Sequence, residues 1–423
     1  MPHAPNRRRP CALNAALALP LAVWLTACGG GGGNDSDVAG ATTCSVAAQK
    51  AWLADYLDEW YFWYRLSPRP NAGAYSTVDA YYDALLYTGG VADFPADRWS
   101  YSESTESFNR FFGNGQTLGW GMAVSGLEAV ADQGPLYVRL VEPLSPAGLA
   151  GVLRGDQVIS VNGRSAADMV RANDFSALTP GSADQALELV LRRQGSERIV
   201  QLRSAVFSLT PVPLDTVLTS PAGRRLGYVV VKDMISQVDT PVEAAFRRFR
   251  AANVDAVVLD LRYNGGGLVS VANTVASYLA GQRGNGRVFA SLLYNDKRAA
   301  ANNTSYRFTN PDAAVGAAKA YVLMGARTCS ASEQVINGLR GVGIEVVAIG
   351  DASCGKPVGF LPQSSCGTTY SAVNFESVNE RNEGRYFDGF AATCPVQEDF
   401  TQALGNPAEP LLATALQAAD LGR

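Results

Sequence analysis

Apolar positions along the chain follow three successive rhythms. Between 45 and 65 they recur at helical spacing, with Trp52, Leu53, Tyr56, Leu57 and Trp60 on one stripe and Tyr61 and Trp63 beyond it. Pro68 and Pro70 end that helix, and a second helical stretch is predicted at about 77–87. The aromatic stripe reads as the buried face of a small N-terminal domain, 44–113, rather than as a ligand site. From 114 to 207 the period shortens toward two. Segments 136–141, 187–193 and 199–203 read as strands, and 155–163 reads as a turn, a strand and an Asn-Gly hairpin signal. From 208 to 423 unbroken apolar runs appear at 227–231, 256–261, 320–324 and 345–349, with helical patterns between them. Such runs suit parallel strands covered on both faces, and their alternation with helices predicts an α/β layered domain.

The first residues obey a different logic. Arg7, Arg8 and Arg9 precede a mostly apolar stretch, 12–24, too short to span a bilayer comfortably. Leu25-Thr26-Ala27-Cys28 and a run of glycines follow. Small residues before a cysteine resemble the lipobox of bacterial lipoproteins. The resemblance implies a signal peptide over 1–28, lipidation of Cys28 and a membrane anchor through that lipid. Residues 29–43 then read as a flexible tether. Residue 30 is glycine rather than aspartate, so nothing resembles an inner-membrane retention signal. The outer membrane, facing the periplasm, is the expected site.

Composition then removes whole classes of chemistry. Hydrophobic residues make up 47% and charged residues 17% of the 423-residue chain, a globular balance. The net charge is −4, with no basic block outside the N-terminus, which argues against nucleic acid as a partner. The one histidine, His3, falls in the signal segment. The mature chain therefore has no Ser-His-Asp or Cys-His machinery and no His-based zinc site, and no metal or cofactor is called for. Any functional lysine is one of Lys50, Lys232, Lys297, Lys319 and Lys356. With Cys11 removed and Cys28 lipidated, Cys44, Cys329, Cys354, Cys366 and Cys394 remain. Export makes disulfides plausible, and an odd number leaves at least one thiol over.

The chemistry concentrates where strands end. The run 321–324 reads as a strand, 325–329 as a turn and Ser330-Ala331-Ser332-Glu333 as a helix start. Ser330-x-x-Glu333 taken alone is a capping box. The next strand, however, runs into Asp351-Ala352-Ser353-Cys354-Gly355-Lys356. In a βαβ unit both loops lie at the carboxyl ends of neighbouring parallel strands, so Ser330 and Lys356 can face one crevice. Asp260-Leu261-Arg262-Tyr263-Asn264-Gly265-Gly266-Gly267 leaves a third strand, and its glycines permit close backbone approach. The N–H groups of Gly265, Gly266 and Ala331 are candidate oxyanion donors. A serine hydroxyl needs a proton acceptor, and lysine serves only when neutral. Pro357, Val358 and Phe360 supply an apolar setting that would lower the Lys356 pKa from about 10.4.

Two resemblances bear on these motifs. The pattern from Ser145-Pro146-Ala147 to Asn162-Gly163 resembles a bacterial PDZ domain. That implies a peptide-binding loop at Leu118, Gly119, Trp120, Gly121 and Met122, with the peptide adding as a strand to the sheet edge. Asp260 to Gly267, Ser330 to Glu333 and Gly355-Lys356, in that order, resemble the carboxyl-terminal processing (tail-specific) proteases of the S41 peptidase family. The implied fold is α/β multidomain: a small helical N-terminal domain, a PDZ-like β-rich domain and an α/β, ClpP/crotonase-like protease core. The resemblance implies cleavage of unfolded or tagged proteins, with Ser330 as nucleophile and Lys356 as base. It leaves room for an activating adaptor or self-association. The family often places a glutamine four residues after the lysine to orient it. Here that position is Phe360, and Gln363 is the nearest substitute. Cys329 and Cys354 flank the two motifs, and a disulfide between them is expected to staple the loops. Two rival readings stand beside this one. In the first, Ser353-x-x-Lys356 is an acylation motif of the penicillin-binding type. In the second, the chain is a lipid-tethered PDZ binding module without turnover.

Overall fold

The fold is that of a computed structural model, which describes residues 40–125 and 135–422. The signal segment, Cys28 and most of the tether lie outside the described residues. Among the described residues no helix is long and apolar enough to cross a membrane.

The first helix, Val46–Trp60, starts where Ser45 Oγ accepts the Ala48 N–H at 3.3 Å. It stops short of the predicted 65 because Tyr61 turns to extended geometry. The Tyr61 hydroxyl donates to Asp97 (2.7 Å) and accepts the Tyr87 N–H (3.0 Å). A second helix follows at Val78–Leu85. The aromatic stripe of the first helix is buried, but not in a core of its own. Trp52, Tyr56 and Trp60 pack with Val358, Tyr370 and Val373 from the far end of the chain. The strand Tyr101–Ser104 pairs with Thr368–Ser371, and a Cys44–Cys366 disulfide joins the same two regions. The helical N-terminal region is thus distinct in sequence but shares its core.

Six strands form the second sheet: Met122–Val124, Leu136–Val141, Gln157–Val161, Ala186–Arg193 and Ser196–Arg203 in that order, with Arg164–Ser165 paired to Gln157–Val161 off this path. Val138, Val158, Leu189 and Leu191 fill its interior. Asn162 and Gly163 have φ of 48° and 77°, the mirror-image turn that an Asn-Gly pair supplies to a tight hairpin. Met122–Val124 lies at the sheet's edge.

The third region is the predicted α/β layer. Leu214–Thr219 runs antiparallel to Arg225–Val230. Ala256–Asp260, Lys319–Met324, Glu345–Gly350 and Cys394–Pro395 then follow in parallel. Val257 and Leu259 point to one face, where helices Asp239–Ala251, Val269–Ala280 and Ala331–Gly341 pack. Val258 points to the other, against helix Pro410–Asp420. Both faces are covered, which is why the runs were continuous rather than alternating. Each fully buried Val or Leu there contributes roughly 1.5–3 kcal/mol. A second, antiparallel sheet contains Val358–Phe360 and Val373–Val378.

Candidate active site

Three loops leave the carboxyl ends of three adjacent parallel strands, after Asp260, Met324 and Gly350. Asn264, fully buried, joins the first two loops. Its carbonyl accepts from Cys329 N–H (3.1 Å) and Ser332 Oγ (3.0 Å), and its side-chain amide donates to Val231 O (2.9 Å). Its Oδ1 accepts the Gly266 N–H at 2.9 Å. Gly266 therefore does not offer a free N–H to an oxyanion, contrary to expectation. It contributes shape: with φ of 104°, a Cβ there would lie 2.8 Å from Ser330 Cβ and 3.1 Å from Ala331 N. The N–H groups of Gly265 and Ala331 have no protein acceptor among the described residues, and these two keep the oxyanion role open to them.

Ser330 ends the second loop with φ of 56° and ψ of −117°, immediately before the helix Ala331–Gly341. A non-glycine residue held there stores about 1–3 kcal/mol of strain, a cost tolerated at sites where a side chain must be presented. Its N–H donates to Glu333 Oε2 (3.0 Å), the carboxylate arm of the capping box. Glu333 does more than cap. The same Oε2 accepts Lys356 N–H at 2.8 Å, while Oε1 accepts Gly355 N–H (2.8 Å) and Ser353 Oγ–H (2.6 Å). One buried carboxylate thereby clamps the serine turn to the lysine loop. Burial raises its pKa, opposed by these four hydrogen bonds. Sequence spacing revealed only the cap. The predicted Cys329–Cys354 disulfide is formed across the same two loops, and Cys394 is left as the free thiol among the described residues.

Lys356 differs from the other four lysines. Lys50 donates to Ala72 O (3.0 Å), Lys232 meets Glu142 (2.8 Å), Lys297 meets Asp58 (2.7 Å) and Lys319 reaches Gly422 O (2.7 Å). No protein acceptor takes a hydrogen bond from Lys356 Nζ among the described residues, and the amine sits 3.9 Å from the Phe360 ring centroid. Burial lowers its pKa from 10.5 to about 8, against the charges of Asp97 and Glu333, which favour the ammonium. Asp97, from the N-terminal region, is a site residue that motif reading missed. Ser330 Oγ and Lys356 Nζ share no hydrogen bond here; their backbones are brought together, and such contacts commonly tighten only with substrate bound.

Other sequence candidates take different places. Ser353 Oγ is buried between Glu333 and the Phe390 N–H (2.7 Å), which commits it to structure and counts against it as a nucleophile. Gln363 pairs with Tyr370 in a separate small sheet and makes no hydrogen bond to Lys356 among the described residues. Asp260 and Arg262 are not free for chemistry: Arg262 lies between Asp260 (3.0 Å) and Glu409 (2.9 Å twice), which caps the last helix. In the loop 118–122, Leu118 and Gly119 pair with the strand Ala205–Ser208, and Trp120 is buried in the second region's core. Gly121 has φ of 79° and abuts Ser145, and Met122 begins the edge strand. Arg154 ties this region to the third, donating to Glu398 (2.7 Å) and Gln402 O (2.7 Å) and contacting Tyr263, two residues before Gly265. Among the described residues one group could offer metal donors: Cys329, Glu333 and Cys354, within 4.8 Å of one another. Its sulfurs are bonded to each other and its carboxylate is already filled by N–H and O–H donors.

Comparison with known proteins gives the same three regions. Residues 225–369 match the model of Peptidase family S41, 48–101 that of the Peptidase S41 N-terminal domain and 137–193 that of a PDZ domain. A chloroplastic C-terminal processing peptidase of Tetradesmus obliquus is 31% identical over 212 residues, 47% of this chain and 44% of that protein. A carboxy-terminal processing protease of Bacillus subtilis (strain 168) is 27% identical over 154 residues, 36% of this chain and 32% of that protein. The chain thus spans less than half the length of either curated relative. A solved structure from Bacteroides fragilis NCTC 9343, assigned to the S41 proteases, superposes with a TM-score of 0.68 at 24% identity. It covers 88% of this chain and 97% of that one, a likeness of fold.

Proposed function

From a chain that belongs to peptidase family S41 and carries its N-terminal, PDZ and peptidase domains in that order, we propose a serine endopeptidase of the periplasm. It cleaves unfolded or C-terminally marked proteins with a Ser330–Lys356 dyad. The observation that carries this is the Glu333 clamp: Ser330 N–H and Lys356 N–H meet on one carboxylate oxygen, and among the described residues Lys356 alone of the five lysines has no hydrogen-bond acceptor for its amine.

The chemistry follows from these groups. Neutral Lys356 takes the Ser330 hydroxyl proton as Oγ attacks the scissile carbonyl. The N–H groups of Gly265 and Ala331 receive the developing oxyanion. Lys356, now an ammonium, gives its proton to the departing amine, and the acyl-enzyme is then hydrolysed by a water that Lys356 deprotonates. The PDZ domain docks the substrate's C-terminus as an added strand on Met122–Val124, the edge strand of its sheet. The lipidated Cys28 holds the enzyme at the outer membrane. Two disulfides in one chain support an oxidising compartment.

The test uses a soluble form beginning after Cys28, with Ser330→Ala and Lys356→Ala variants. Each is incubated with an unstructured protein ending in apolar residues, and cleavage is followed by mass spectrometry. Cleavage by wild type alone, with both variants folded, supports the dyad. Binding without cleavage by wild type, with and without candidate adaptors, would replace the proposal with a PDZ binding module.

A further inference from the structure

The amine of Lys356 is held by something other than an oxygen. The ring of Phe360 lies 3.9 Å below it, and the ring has a fixed seat. Phe360 ends the strand Val358–Phe360, whose pairing slips by one residue: Gly359 opposes Phe375, but Phe360 opposes Val373. Such an irregularity re-aims the side chain at the point where it occurs. The skipped residue, Asn374, pins the next backbone N–H, that of Leu361, at 2.6 Å. The edge of the ring is held by Tyr101, at 5.7 Å between centroids and 77° between planes.

We propose that Phe360 is a positioning residue for the reaction, its ring face fixing the Lys356 amine beside Ser330 and excluding water from it. The inference rests on the Ser–Lys reading above. A ring face attracts an ammonium but has no lone pair that holds a proton, so the amine can be located without being trapped in its charged form. A carboxylate or amide oxygen in the same seat would locate it and favour the charge. The charged groups that act on the amine, Asp97 from the N-terminal region and Glu333 from the serine helix, both favour the ammonium; burial opposes them and prevails.

The ring's two effects have opposite signs, which makes them separable. Phe360→Leu keeps the apolar wall but removes the ring face. The ammonium loses its attraction, and the acid limb of the kcat/KM profile moves down by about 0.5–1 pH unit. Phe360→Ala admits water. The limb then moves up toward about 10.4, and kcat/KM at pH 7 falls about 100-fold, carried by kcat more than KM. The same midpoints are read without substrate from the pH dependence of Lys356 acylation by an amine-reactive reagent, measured by mass spectrometry in a Ser330→Ala background. Opposite movements of the Leu and Ala variants support the inference. Unmoved midpoints, with rates lost equally, would reduce Phe360 to packing and overturn it. If the acylation midpoints move as expected while no form cleaves any substrate, the positioning stands and the protease reading is what falls.

Discussion

The base proposed for the reaction works by being buried, and burial should weaken the protein that carries it. The Lys356 pKa lies at about 8 against 10.5 for an ordinary lysine, a gap of about 2.5. At 1.36 kcal/mol per unit that is about 3 kcal/mol of folding free energy, and partial exposure trims it to about 2–3 kcal/mol. The sign follows from proton binding. Below pH 8 both folded and unfolded chains carry the proton, and the folded one bears its burial. Between pH 8 and 10.5 the unfolded chain binds more protons, so stability rises with pH; above 10.5 the penalty is gone. Lys356→Met keeps length and apolar contact and never carries the charge. In a Ser330→Ala background, urea unfolding should find Lys356→Met more stable by about 2–3 kcal/mol at pH 7, with the gap closing near pH 10.5. Lys232 is the control. It too is buried, but Glu142 and Asp233 hold it and its pKa is raised, so Lys232→Met should destabilise by about 3–5 kcal/mol at pH 7. A Lys356→Met difference that stays constant from pH 7 to 10.5, or a variant less stable than its parent, would refute the claim that the Lys356 amine carries a burial penalty.

Further outcomes follow from the same geometry. Gly266→Ala should lower kcat about 100-fold or more, because its Cβ would crowd Ser330 and the Ala331 N–H, a proposed oxyanion donor; steady-state kinetics on a folded variant checks this. Glu333→Gln turns one acceptor oxygen into a donor facing two donors. It should destabilise by about 3 kcal/mol in chemical denaturation and depress kcat more than KM. Cys329→Ser with Cys354→Ser opens a loop of 25 residues and should lower unfolding free energy by about 3.5 kcal/mol, an effect that a dithiol reductant reproduces on a Cys44→Ser, Cys366→Ser variant, where it is the disulfide left to reduce.

What the sequence disclosed and what it withheld divide along locality. The buried strands and the Asn162-Gly163 turn depend on residues within a few positions of one another, and they were legible. The meeting of the Ser330 and Lys356 loops was legible because parallel-strand topology leaves little choice about where they emerge. Glu333 was only half legible, since a capping box accounts fully for its spacing from Ser330. Its larger task depends on Ser353, Gly355 and Lys356, which only the folded sheet brings near. Gln363 was chosen as the glutamine nearest the fourth position after Lys356. That fourth position, Phe360, stays at the amine, and Gln363 pairs with Tyr370 in another sheet. Asp97 and the shared aromatic core were hidden for the same reason, since their partners lie at the opposite end of the chain. One signal for Glu333 was nonetheless present. A glutamate in the first turn of a helix flanked by Ala331, Val335 and Ile336 sits on a face that must be buried. A carboxylate can remain there only if nearly every lone pair is met, so its donors had to come from a loop outside its own helix. The loop that ends at Lys356 leaves the strand next in the sheet, and it was the nearest candidate to supply them.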